Sequence, residues 1–332
     1  MNRCLFVFLF FLCFQPGKAG DSTRFDNNYI VSYRDYLAFY FYTNVPTNRF
    51  SYLFGENLYD YRPNEVLHTG LGFDYQWLGL AGSVSMRFLN RDDELYGKTN
   101  SFDLQSGLNW SAVNLGINLQ YYQGFYLNNM QDFYTGWKQG MPHEQREDMA
   151  AVTLGVTGLY FVNHHKFTLS APFSHTAKQI KGAGSFILGG FLSVYAMNAD
   201  SGMLPASTPN AAADSINYRF ITSTDIGLLA GYARTFRLSS NWFTTLLLVP
   251  GFSAHGSESV LMNGEFRKEE KKAGLRIITR FALGYDNGKW YGGINAFSTS
   301  QSFTDQRKGN YSYIFGYTSL YFGLRIDVRL KE

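Results

Sequence analysis

In the stretch Ser253-Ala254-His255-Gly256-Ser257-Glu258, an imidazole and a hydroxyl stand two positions apart. If this stretch is extended, residues two apart share a face, so His255 can take the proton of Ser257, with Glu265 or Glu269 downstream to orient the ring. That is the pattern of a hydrolase nucleophile. The competing reading is a polar, glycine-containing loop that holds a His and a Ser without chemistry. His164 and His165 are adjacent and so point to opposite faces of a strand, a poor arrangement for one metal ion. His175 follows Ser174, and His143-Glu144 lacks a third partner at a diagnostic spacing, so no zinc motif and no cofactor is expected.

A second group of residues is defined by parity. Asp74, Arg87, Asp103, Arg276, Arg280, Arg325, Asp327 and Arg329 all fall on the polar side of alternating segments, as does Asp286. If those segments close into a barrel, these charges line its lumen. Mixed signs in a narrow lumen are expected to pair and obstruct flow, where a row of one sign would select ions.

The elements that must position these groups are two-faced strands. In "VNLGINLQYYQGFYL", Val113, Leu115, Ile117, Leu119 and Tyr121 alternate with Asn114, Gly116, Asn118, Gln120 and Tyr122. The last segment sets Leu320, Phe322, Leu324, Ile326, Val328 and Leu330 against Tyr321, Gly323, Arg325, Asp327 and Arg329. "GLGFDYQW", "LGLAGSVSMRFL" and "SFDLQSGLNW" alternate in the same way. Their polar faces are Gly, Ser, Asn, Gln and Tyr, where a solvated sheet is usually rich in Lys and Glu. Aromatics make up 18% of the chain, with 24 Tyr and 30 Phe, while charged residues are only 17%. A soluble domain carries about 25% charged residues. The outside of this protein is therefore expected to be lipid. The fold class is all-β: a transmembrane, antiparallel, up-and-down β-barrel. The alternative is a soluble exported β-sandwich or lipocalin-like binding protein, which the same alternation would serve.

The first residues fit export. Asn2 and Arg3 precede an apolar run from Cys4 to Phe14, and Gly17-Lys18-Ala19 supplies small residues for cleavage. The run is too short to span a bilayer. The expected organisation is a signal peptide over 1–19, an N-terminal periplasmic segment over 20–35 and a barrel over 36–332. Lipidation at Cys13 is the competing reading, with Leu12 standing where a small residue is wanted. Both cysteines lie in the segment removed, so the mature chain has no disulfide and no thiol chemistry. Loss of Arg3 and Lys18 lowers the net charge from +3 to +1, which leaves no basic footprint for nucleic acid.

Short connections alternate with long ones. Trp77–Gly79, Asn109–Ala112, Asn163–Lys166, Leu238–Asn241 and Asp286–Lys289 are short. The stretches 90–98, 128–147, 198–217 and 255–272 are long and are assigned to the cell exterior. Asp286-Asn287-Gly288 is the strongest hairpin signal, with Asn-Gly suited to a type I′ turn. "FRKEEKKAG", Phe266 to Gly274, reads as a solvated external loop that can meet lipopolysaccharide phosphate. Counting crossings gives about twelve strands, with fourteen as the alternative. An even count is reached in one of two ways: "KFTLSAPFSHTAKQIKGAGSFILGGFLSVYAMN" crosses once with part folded into the lumen or rim, or Arg49 to Tyr59 adds a strand.

Several ordered motifs carry a resemblance: "YDYRPN" (Tyr59 to Asn64), "GLGFDYQWLGL", "GKTNSFDLQ" (Gly97 to Gln105), "QYYQGFYL" (Gln120 to Leu127), "REDM" (Arg146 to Met149) and "KGAGSFILGG" (Lys181 to Gly190). Together the chain resembles an uncharacterised outer-membrane β-barrel family of Bacteroidota, known as a domain of unknown function (number 4421), over nearly its whole mature length. The resemblance implies fold and an outer-membrane location in a Gram-negative cell; it supplies no substrate. The His255/Ser257 pair is also weakly similar to that of outer-membrane lipid hydrolases. The function expected is a narrow pore or an envelope scaffold whose external loops bind a ligand or partner, without enzymatic activity; lipid hydrolysis or deacylation through His255, Ser257 and Glu269 is the alternative. Its expected partners are outer-membrane lipid, lipopolysaccharide, the outer-membrane assembly machinery and an envelope protein. The protein is expected to be a monomer.

Overall fold

The computed structural model describes residues 25–328 apart from 55, 87, 89–91, 206–216 and 306–308. In chain order the strands are β1 (Ile30–Ser32), β2 (Tyr36–Phe54), β3 (Asn57–Arg62), β4 (His68–Tyr75), β5 (Leu78–Ser85), β6 (Asn100–Asn109), β7 (Val113–Leu127), β8 (Gln145–Phe161), β9 (Ala177–Gln179), β10 (Ala183–Ala199), β11 (Tyr218–Arg237), β12 (Trp242–Leu261), β13 (Phe266–Asp286), β14 (Trp290–Asp305) and β15 (Gly309–Asp327). Two short helices, α1 (Asp93–Tyr96) and α2 (Ser170–Phe173), interrupt them.

Twelve strands pair antiparallel in sequence order, and β15 returns to β2 from Gly309↔Phe54 to Asp327↔Tyr36. The ring is closed, and twelve is the count expected from the sequence. Both ends of the described chain lie at one mouth, here called the near end. β1, β3 and β9 are not members of the ring. β3 folds back on the far end of β2 and reaches β7 at Tyr61↔Leu127, bridging over β4 to β6. The segment 163–182 folds inward at the near end, where β9 pairs with β1 through Val31↔Lys178. It adds no crossing, as the folded-in reading of that stretch requires.

Closure follows from what each strand turns outward. Leu228 is 77% exposed and Phe252 75%. Phe186, Leu188, Leu246, Leu248, Leu320 and Phe322 are also exposed on the same outer surface. In water each such residue would forgo about 1.5–3 kcal/mol of burial. Against lipid there is no such loss, so this is the outer band of a transmembrane barrel. Trp77 stacks on Trp110 at 6.3 Å, Trp242 meets Tyr285 and Trp290 meets Phe322, all near the near end, where rings with a polar tip form a girdle.

Two sequence expectations need correction. The stretch 255–272 is no loop: β12 runs to Leu261 and β13 starts at Phe266, with Ser257↔Glu269 and Glu258↔Lys268 in register. β13 spans 21 residues, where about 9 to 11 cross a bilayer. Beyond the lipid the outer face is free to carry charge, so the hydrophobic period disappears while the backbone ladder continues; Lys268 lies 3.6 Å from Glu258 across it. The Asp286 hairpin exists, but Gly288 alone has a positive φ, of 100°, so it is a three-residue connection and not a type I′ turn. The Asp286 carboxylate accepts from the Gly288 N–H at 2.8 Å and selects that geometry.

The interior is packed in two layers. Toward the far end, Phe50, Tyr61, Tyr122, Tyr195, Tyr313 and Phe315 belong to one buried cluster with Met149 and Met197. Toward the near end, Phe161, Phe167, Leu169, Phe191, Leu229 and Leu247 form another, which the inward segment completes.

Candidate functional site

Register decides the fate of the His255 site. On β11 and β12, Asp225 faces His255 and Ser223 faces Ser257, all toward the lumen. His255 is only 2% exposed. Its Nδ1 lies 2.9 Å from Asp225 Oδ1 and its Nε2 2.7 Å from the Tyr311 hydroxyl. The tautomer that satisfies both donates from Nδ1 to the carboxylate and accepts from Tyr311. Both ring nitrogens are therefore engaged, and neither is directed to Ser257. The space shared by Ser257 and Tyr311 is about 20 Å³, room for about one water and not for an acyl chain. Glu265 binds Arg267 at 2.9 Å, and the Glu269 side chain lies outside the described residues. Sequence reasoning missed Asp225 and Tyr311, which lie 30 and 56 residues from His255. Inward parity was their only signal.

The lumen charges separate into several fates. Arg325 donates to both oxygens of Asp286 at 2.8 Å, with both side chains buried. It also donates to the carbonyls of His175, at 2.7 Å, and Gly288, at 2.8 Å, and its guanidinium lies over Tyr33 and Tyr291. This side chain thus ties the inward segment to the barrel wall. His175 sits at φ 55° with its ring stacked on Tyr291 at 4.3 Å and tilted against Tyr321 at 4.7 Å. Burial, with the Arg325 charge beside it, lowers its imidazole to about 3.

The other lumen charges have varied surroundings. Arg276 donates to Thr299 Oγ1 at 3.1 Å and Ser193 Oγ at 3.4 Å and lies over Phe191. Arg280 lies against the rings of Phe173 and Phe297. Asp103 accepts from Gln120 at 2.9 Å. Asp74 is buried, and its Oδ2 has no partner. Asp327 ends β15 at the near rim, where it is exposed. Arg87 and Arg329 lie outside the described residues. Among the described residues no cluster of His, Cys, Asp or Glu is arranged to hold a metal ion.

Four of the motifs, YDYRPN, GKTNSFDLQ, QYYQGFYL and REDM, meet at the far rim, while GLGFDYQWLGL turns at the near end and KGAGSFILGG starts there. Asp60 accepts from Arg49, from Arg62 at 3.1 Å and from Asn128 Nδ2 at 3.0 Å. Asn64 donates from its side-chain amide to the Gly97 carbonyl at 2.9 Å and from its backbone N–H to Thr99 Oγ1 at 2.7 Å. Thr99 Oγ1 donates to the Gly124 carbonyl, and Gly124 has φ 90° against the Lys98 carbonyl, where a Cβ would collide. Arg146 grips Asp148 at 2.9 Å and Ser201 at 2.9 Å. These residues hold β3, α1 and the loops around them in one fixed arrangement.

A closed twelve-stranded barrel with an apolar outer band, a filled lumen and a braced far rim defines a transmembrane β-barrel. The chain belongs to the family described as Domain of unknown function (DUF4421), whose profile matches residues 24–325. None of the curated proteins matches it. Solved structures similar to it include the outer membrane protease OmpT of Escherichia coli, at 8% identity and TM-score 0.37 over 89% of this chain and 98% of that one. The toluene transporter TodX of Pseudomonas putida is similar at 9% identity and TM-score 0.28, over 87% and 89%. A FadL homologue of Pseudomonas aeruginosa follows at 9% identity and TM-score 0.24, over 87% and 90%. At these values the likenesses carry no argument about chemistry.

Proposed function

We propose that the protein is an integral outer-membrane barrel of a Gram-negative envelope, exported by the signal peptide of its first residues, with the near end in the periplasm. It acts as a monomeric scaffold that conducts no solute along its axis, catalyses no reaction of its own and offers its far rim to an envelope partner. The observation that carries this reading is the double closure of the lumen. The far half is filled by the aromatic and methionine cluster, and the near mouth by the inward segment that Arg325 holds. The braced rim supports the partner role, since hydrogen bonds there fix the loops before any partner arrives and lower the ordering entropy lost on binding.

The test is single-channel recording of the purified chain in planar bilayers. A silent bilayer is expected; discrete conductance steps would overturn the scaffold in favour of a pore. The location is checked by outer-membrane fractionation with heat-modifiable gel mobility.

A further inference from the structure

The ring is zipped unevenly. β5 and β6 pair at Leu78↔Leu108, Gly79↔Gly107 and Leu80↔Ser106, and there the ladder stops. Continued in register it would join 81 with 105, 83 with 103 and 85 with 101, and none of these pairs forms. On their other sides both strands are fully laddered, β5 from His68↔Ser85 to Tyr75↔Leu78 and β6 from Asn100↔Gln123 to Asn109↔Asn114. The facing edges from 81 to 85 and from 101 to 105 are thus parted within the wall. In hydrocarbon, unmet backbone N–H and C=O groups cost several kcal/mol each, and such backbone is tolerated where it lines a polar space.

A polar space lies behind this fork. A cavity of about 200 Å³ is lined by Gly79, Ala81 and Gly107 at the fork and reaches Asp74, Asn118 and Arg280. A second, of about 100 Å³, is lined by Ser83 and Asp103 on the parted edges. Two unmatched charges address the larger one. Asp74 is 3% exposed with Oδ2 unpartnered, and it occupies the room over Gly79, where a Cβ would lie 2.3 Å from Oδ1. Arg280 comes from the other side of the ring, and its Nε has no partner. Asn118 Nδ2 is also unmet. Outside the fork stand Val84, Phe102 and Leu104, exposed and apolar.

We propose that this cavity binds the zwitterionic head group of a membrane amphiphile, an ammonium and a phosphate on one molecule, which enters from the bilayer through the parted β5–β6 seam. The ammonium meets Asp74, the phosphate meets Arg280 with Asn118 beside it, and the acyl chain leaves between Val84 and Phe102 into lipid. A buried carboxylate with an unmet oxygen and a half-buried guanidinium with an unmet Nε ask for a ligand carrying both complementary charges. The volume admits a phosphoethanolamine-sized head and excludes a disaccharide head. The apolar flanks of the seam select a lipid over a soluble zwitterion.

The inference rests on the membrane reading above, and its test separates the two. Native mass spectrometry of the full chain in a non-ionic detergent, titrated with lysophosphatidylethanolamine, is expected to show one molecule bound per chain. Asp74→Asn and Arg280→Gln are each expected to weaken it at least tenfold while heat-modifiable mobility is kept. Lysophosphatidylglycerol, which lacks the ammonium, is expected to bind at least tenfold more weakly. Ser83→Cys with Asp103→Cys, joined by a short bis-thiosulfonate linker, is expected to abolish the adduct, and reduction to restore it. The proposal is overturned by a heat-modifiable chain that forms no adduct, by either single variant binding as wild type does, by an adduct indifferent to the linker, or by soluble phosphoethanolamine binding as tightly as the lipid. A chain that stays folded and monomeric in plain buffer overturns the membrane reading instead.

Discussion

At Arg325 a single guanidinium does several jobs at once: it neutralises Asp286, holds the carbonyls of His175 and Gly288, and lies over two tyrosines. Arg325→Ala leaves a buried carboxylate without its counter-charge, which typically costs about 3–5 kcal/mol. The expected outcome is a clear fall in the melting temperature of the detergent-solubilised barrel, with Asp286→Asn in the same chain recovering part of it. His175 gives a pH dependence of defined sign. Its folded imidazole titrates near about 3 against an unfolded value near 6.5. The unfolded chain therefore takes up the proton first, and stability is full above about pH 6.5 and falls as the pH drops toward about 3. Melting curves at pH 7.5 and 5 are expected to differ less for His175→Asn than for wild type, since Asn tolerates the positive φ and has no charge to acquire. Equal differences would remove His175 as the cause.

Among the elements, the inward segment and the long β12–β13 pair make opposite demands. α2 and β9 close the near mouth, so removing 166–181 in favour of a short Gly-Ser link is expected to open it. Asn114→Cys, in a chain whose other cysteines, Cys4 and Cys13, are replaced by Ser, reports this: a water-soluble maleimide reacts slowly with the intact barrel and at least tenfold faster after the deletion. Equal rates would show that the segment does not seal the mouth. The β12–β13 extension beyond the lipid contributes a ladder and exposed ion pairs, each worth about 0–1 kcal/mol. Trimming it from Ser257 to Glu269 down to a tight turn is expected to leave membrane insertion and heat-modifiable mobility intact.

On the scale of the whole barrel, the outer band sets where charge is permitted. Leu228→Arg, within the band, is expected to destabilise the protein in lipid vesicles by about 2–4 kcal/mol, while Phe266→Arg, on the extension above it, changes little. Denaturant unfolding of the two variants in vesicles measures the contrast. Similar costs at both sites would mean that the bilayer does not end where the outer face turns charged.

What the sequence determined follows from a period of two. Alternation along β7 or β15 settles which residues face lipid and which face the lumen, because a strand offers only two directions. That is why the closed all-β ring and the lumen-facing arginines at 276, 280 and 325 were legible, and why the turn at Asn287-Gly288 was found. Alternation says nothing about how far one strand slides past its neighbour. Register alone brought Asp225 and Tyr311 to His255 and turned an apparent His/Ser pair into a closed hydrogen-bonded chain. Register likewise set Arg325 on Asp286, left Asp74 and Arg280 unmatched and stopped the β5–β6 ladder at Leu80. Those facts belong to the tertiary structure, because they depend on residues far apart in the chain meeting at one height in the barrel.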